Sequence, residues 1–174
     1  TDLFLYTFSD SSSKKIMLGV KSAADWLNDS TIIYTKLSKP NKFGSRFFDI
    51  YKYNLKSEEE IQLTQGARLT SPVYIKDDNM IAAIHTFDGS SNIMVSDLDS
   101  ISFTSITNYN DGTYISSITL NNNKLIFDST KNQGRDIYSI DLTDNLVKKL
   151  INNPWDDRDP ILFNDAIVYS RNKS

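Results

Sequence analysis

Along most of the chain apolar and polar residues alternate with a period of two, in short runs separated by clusters of Asn, Asp, Ser and Gly. Successive side chains of a strand point to opposite faces, so this period predicts many short strands joined by tight turns. One run returns four times: Asp2-Leu3-Phe4-Leu5-Tyr6, Asp49-Ile50-Tyr51-Lys52-Tyr53, Asn92-Ile93-Met94-Val95-Ser96 and Asp136-Ile137-Tyr138-Ser139-Ile140, at spacings of 47, 43 and 44 residues. After each start comes a polar turn and a second strand, near residues 15–18, 60–64, 103–107 and 147–151. A loop then leads to a third strand at 26–27, 73–75, 118–120 and 161–163, and a turn to a fourth at 31–34, 80–84, 124–127 and 166–169.

Four strands in about 44 residues is the size of one propeller blade. A four-stranded sheet that is apolar on both faces cannot bury them alone, so successive sheets must stack. The turn chemistry recurs in phase. Asp77-Asp78-Asn79, Asn121-Asn122-Asn123 and Asn164-Asp165 separate third and fourth strands, where short hairpins need residues tolerant of positive φ. Asp88-Gly89 and Gly134-Arg135 mark the next reversal. The fold expected is all-β: one β-propeller domain over residues 1–174, with four four-stranded antiparallel blades whose repeats start near 2, 49, 92 and 136.

The repeat resembles that of TolB-type β-propellers, a unit also found in the propeller domains of prolyl-oligopeptidase-like enzymes. Its carriers are Asp49-Ile50-Tyr51, Leu63-Thr64, Ser71-Pro72, Asp88-Gly89, Asp136-Ile137-Tyr138 and Asn153-Pro154-Trp155-Asp156-Asp157-Arg158-Asp159-Pro160, while the family's Ser-Pro-Asp-Gly turn is replaced by Asn and Asp runs. In such blades the third strand lies nearest the axis, so the chain begins with the outer half of one blade and ends with the inner half of another. Pairing of these halves would close a four-bladed ring and remove two strand edges, which favours closure. The alternative is an arc of a larger ring.

Composition sharpens this picture. Of 22 acidic residues 19 are Asp and 3 are Glu, and Asp favours turns and caps where Glu favours helix interiors. The net charge of −3, with Lys and Arg scattered, excludes a nucleic-acid partner held by charge. No apolar run reaches the roughly 18 to 20 residues of a membrane span. The N-terminal Thr-Asp-Leu-Phe lacks the layout of a signal peptide, so any targeting segment is expected to have been removed. Zero Cys removes disulfides and thiolate chemistry, without fixing a compartment.

Candidate chemistry is sparse. No Gly-x-Ser-x-Gly elbow occurs, and the single histidine, His85, lies in a strand and reads as a packing residue. The repeated Asp2, Asp49 and Asp136 read as scaffold, because an active site needs one asymmetric constellation. No metal or cofactor is expected; the Asp pairs lack a full calcium-loop spacing. Binding is better motivated. Loops entering the third strands and leaving the fourth should share one face, and they carry Arg68, Tyr109, Asp111, Tyr114, Trp155, Asp156 and Arg158, together with Lys36, Lys39, Lys42, Phe43, Arg46, Phe87 and Arg135. Exposed aromatic and Arg side chains are the usual anchors of interfaces. The candidate contact set is therefore Trp155, Asp156, Arg158, Arg68, Tyr109, Tyr114, Phe43 and Arg46. The expected function is a non-catalytic, extracytoplasmic binding or protein-interaction module. The alternatives are a regulatory, substrate-gating propeller of a larger peptidase, or a carbohydrate-binding domain using Trp155 and its neighbouring acids.

Overall fold

The computed structural model describes residues 1–22, 24–131, 134–164 and 166–173. The first sheet pairs β1 (Leu3–Thr7) with β2 (Ser12–Met17). Three four-stranded antiparallel sheets follow, each in sequence order from axis to rim. They are β3 (Asp25–Asn28), β4 (Thr31–Leu37), β5 (Phe48–Asn54) and β6 (Glu59–Gln62); β7 (Leu69–Ile75), β8 (Met80–Phe87), β9 (Ser90–Asp97) and β10 (Thr104–Ser105); and β11 (Tyr114–Asn121), β12 (Lys124–Lys131), β13 (Gly134–Asp141) and β14 (Val147–Lys149). The last sheet pairs β15 (Asp156–Phe163) with β16 (Ala166–Asn172). This is an all-β propeller architecture, and among the described residues no helix is long and apolar enough to cross a membrane.

Period-two alternation builds the core between sheets. Ile32 and Tyr34 of β4 face the β1–β2 sheet with Val20 and Tyr51, whereas Ile33 faces the second full blade with Ile50, Leu69, Ile81 and Ala83. In β8 the set splits again: Ile81 and Ala83 look back, while Ala82 and Ile84 look forward to Ile115, Leu125 and Phe127 of the third full blade. Each side chain on a middle strand is thus removed from water by a different neighbour. Fully burying such a residue contributes roughly 1.5–3 kcal/mol. Tyr34 and Tyr51 stack across neighbouring strands with ring centroids 6.1 Å apart, as do Phe127 and Tyr138 at 5.6 Å, and the clusters that Tyr51 and Tyr138 join lie between adjacent sheets.

The turns follow the expected chemistry. Asn79, Asn122 and Asn164 have φ of 52°, 51° and 52°, and Asp88-Gly89 has both residues at positive φ. Asp165 lies outside the described residues. So does the reversal before Gly134, which itself opens β13.

Two features differ from expectation. The inner strands start earlier than the alternation suggests, at Leu69, Tyr114 and Asp156, because register shifts at 70–73, 115–117 and 158–161 break the period. Tyr114, Asp156 and Arg158 therefore sit on strands rather than in loops. The second difference concerns closure. The β1–β2 and β15–β16 sheets remain separate, with no pairing between them among the described residues, and the chain forms an arc.

Candidate functional site

Two of the loops that enter the inner strands are held by a residue near the start of the strand that begins each repeat, Asp49 in β5 and Asn92 in β9. In β5 the buried Asp49 accepts the Thr64 hydroxyl and the Ala67 N–H through Oδ1, and the Gly66 N–H through Oδ2, each at 2.9 Å. Thr64 Oγ1 in turn accepts the Ile50 N–H at 2.9 Å. One blade later Asn92 accepts the Thr107 hydroxyl at 3.0 Å and the Tyr109 N–H at 2.6 Å, and Thr107 accepts the Ile93 N–H at 2.9 Å. Asp2 and Asp136, at the same phase, pair with Lys15 and Lys149 at 2.8 and 2.7 Å. At Asp49 and Asn92 this position clamps the loop that leads to the next inner strand, at Asp2 and Asp136 it pairs with a lysine, and the loop that Asp49 clamps ends on Arg68.

Arg68, at φ 55°, places its guanidinium 4.8 Å from the Phe47 ring centroid and 5.4 Å from that of Phe87. Phe47 comes from the β4–β5 loop and Phe87 from the end of β8, so two blades grip one cation. Lys21, from the loop entering β3, lies 5.4 Å over the Phe48 ring. Arg46 is tied down by its Nε, which donates to the Ser38 carbonyl at 2.9 Å. These groups surround a depression of about 490 Å³ whose wall also includes Tyr114, Thr70 and Thr86. No carboxylate lines it, and Lys21, Arg46 and Arg68 have no ion pair among the described residues. His85 lies nearby, stacked on Phe87 at 6.2 Å; burial and then the Arg68 charge hold its imidazole below the ordinary range.

The Trp155–Asp159 segment is organised differently. Asp157 is fully buried and accepts Arg171 Nε at 2.7 Å and Nη2 at 3.2 Å on its two oxygens, with the Asn153 amide at 2.6 Å. Asp156 accepts the Arg135 N–H at 3.0 Å. The Asp159 N–H, freed by the strand bulge, donates at 2.7 Å to Asp128, a fully buried carboxylate that also binds the Ser116 hydroxyl and Arg135. The Asp156 carboxylate and the Asp159 N–H thus join β15 to the preceding blade, while Asp157 ties β15 to β16 through Arg171. Trp155 is 39% exposed and Arg158 half-buried, with its carbonyl accepting Ser170 Oγ. Among the described residues no three His, Cys, Asp or Glu side chains are grouped so as to hold a metal ion.

The structure thus brings Arg46, Arg68 and Tyr114 together and leaves the other candidates apart. Tyr109 is half-buried, packed on the core between the second and third full blades, and its N–H is clamped by Asn92. Phe43, 79% exposed, stands at the tip of the β4–β5 loop beside Lys42, with the ammonium 4.9 Å from its ring centroid. Lys36 is engaged by Glu60, which also accepts the Tyr34 hydroxyl. Sequence reasoning missed Lys21, and it missed Phe47 and Phe48 as cation platforms. The available signal was phase: Lys21 occupies the same loop as Arg68, one blade earlier. It also missed Asp128, whose partners are 7 to 31 residues away.

No protein-family model and no curated protein matches the chain. Solved structures do. TolB from Acinetobacter baumannii is 20% identical with a TM-score of 0.75, covering 99% of this chain and 44% of its own. The β-propeller domain of the Trilobed protease from Pyrococcus furiosus, described as having an open velcro topology, is 16% identical with a TM-score of 0.59, covering 86% and 52%. An oligogalacturonate lyase from Vibrio parahaemolyticus is 12% identical with a TM-score of 0.64, covering 88% and 48%. The chain spans about half the length of these structures. The likeness establishes the fold, a propeller of the kind found in TolB and in peptidase propeller domains, and enzymes also occur on it.

Proposed function

We propose that the chain is a non-catalytic, extracytoplasmic module that binds a protein partner through the face carrying Arg46, Arg68 and Tyr114. One observation carries this reading: an exposed guanidinium is held between Phe47 and Phe87 from two blades, at the edge of an open depression, with no internal ion-pair partner among the described residues. Stacking of this sort lowers the entropy lost when a partner docks, and Arg and aromatic side chains dominate interface energetics. The rest of the chain favours the same reading. Asp49 clamps a loop, the one histidine is stacked, and Asp156 and Asp157 are held in hydrogen bonds. Extracytoplasmic placement rests on the likeness to TolB.

Photo-crosslinking in the source cells tests the proposal. A benzophenone side chain at position 43 or 114, on this face, should yield a defined protein adduct, and one at Ile61 on the rim strand β6 should not. Adducts from the rim alone, or none from either, would overturn it. Cell fractionation with an antibody to the chain checks the compartment, and a cytoplasmic pool would sink that part.

A further inference from the structure

We propose that the depression between Lys21, Arg46 and Arg68 is a carboxylate-binding site that recognises Asp or Glu side chains of an acidic segment in the partner. This deepens the interaction reading and rests on it. The chain as a whole is acidic, at net −3, yet three cations converge here without a carboxylate in the wall. Like charges repel, so such a cluster costs the free protein stability that an incoming anion would return. The cations are also oriented in advance: Arg68 by two rings, Arg46 by Ser38, Lys21 over Phe48. Among the described residues none accepts a hydrogen bond from the Arg68 guanidinium, which leaves its planar fork free for the paired oxygens of a carboxylate. Burial first, and then the Arg68 charge, lower the basicity of the nearby His85.

The wall also discriminates between anions. A phosphate takes three or more donors, usually with backbone N–H groups from a helix end or a nest. Here the two threonine hydroxyls in the wall are engaged, Thr70 with the Ile84 carbonyl and Thr86 with Ser91. What is left is a set of separated side-chain cations on three loops, suited to the carboxylates of an extended peptide.

The test is fluorescence anisotropy with labelled, end-blocked hexaglutamate at about 50 mM salt, where screening is modest. The expected result is saturable binding that hexaglutamine does not reproduce. Arg68→Gln and Arg46→Gln should each weaken it by about ten- to a hundredfold, the range for a lost charge-assisted hydrogen bond. Lys56→Gln, in an exposed turn between β5 and β6, should leave it within about twofold. Circular dichroism confirms that each variant is folded, and Arg46→Gln, which removes no ring contact, keeps the test valid if Arg68→Gln is not. Absence of binding, equal loss in Lys56→Gln, or inorganic phosphate competing better than free glutamate would overturn the proposal, as would binding to anionic lipid vesicles without binding to hexaglutamate. Loop-face adducts without hexaglutamate binding would sink this inference and leave the interaction reading standing; hexaglutamate binding without adducts would do the reverse.

Discussion

Replacing Asp49 by alanine should destabilise the fold and unseat Arg68, and replacing it by asparagine should do much less. The buried carboxylate takes three hydrogen bonds at 2.9 Å, from Thr64 and from the Gly66 and Ala67 amides. Hydrogen bonds to a charged group are worth about 1.5–3 kcal/mol each, but three on one group do not add, and removing the acid also removes its desolvation cost. A net loss of about 3–4 kcal/mol follows, a large share of the roughly 5–15 kcal/mol of a typical domain. With a urea slope of about 2 kcal/mol/M, the midpoint should fall by about 1.5–2 M. Asn92 is an internal control, since its amide oxygen carries the equivalent Thr107 and Tyr109 bonds and its NH2 donates to the Tyr109 carbonyl at 2.9 Å. Asp49→Asn keeps both Oδ1 bonds and loses the one from Gly66, for about 1–2 kcal/mol. Urea unfolding followed by tryptophan fluorescence and by circular dichroism measures both. An alanine variant within about 1 kcal/mol of the parent, or an asparagine variant as weak as alanine, would refute the clamp.

Three further outcomes are expected. Burial and the Arg68 charge both hold His85 below its ordinary range, so Arg68→Gln should raise its pKa, as should hexaglutamate binding; an NMR titration of this single histidine reads both, and an unchanged value under each would contradict the geometry. Asp157 is held below its ordinary 3.8 chiefly by Arg171. A carboxyl lowered in the folded state stabilises it fully above the unfolded value and loses that contribution as pH falls through the folded one. The stability gap between the parent and Asp157→Asn should therefore be wide at neutral pH and narrow at about pH 3, and a gap independent of pH would discount the Arg171 clamp. Hydrogen exchange should find the amides on the open edge of β1 fast and those of β12, which pairs on both sides, slow. Slow exchange along both edges of β1 in a monomer would mean that the ring is closed.

Much of this architecture was legible before any coordinates. Strand alternation and turn chemistry are local properties, which is why Asn79, Asn122 and Asn164 occupy positive φ where hairpins were expected and why each strand lies near its expected place. The scaffold role of Asp49 was legible for the same reason, as recurrence at one phase marks a part that every blade needs. Tyr114, Asp156 and Arg158 were misassigned to loops because bulges interrupt the period that reveals an inner strand.

What the sequence by itself determined is therefore the repeat: the period, the strand order within a blade, the turns and the alternating core. Tertiary structure alone decided that Lys21, Arg46, Arg68 and Tyr114 meet around one depression, that Asp128 joins Ser116, Arg135 and Asp159, and that the end sheets stay apart. The physical reason is one of range. A hairpin is specified by a handful of consecutive residues, whereas the rotation between neighbouring sheets is set jointly by the volumes of many side chains packed between them, and that rotation determines both which loops converge and whether the arc closes.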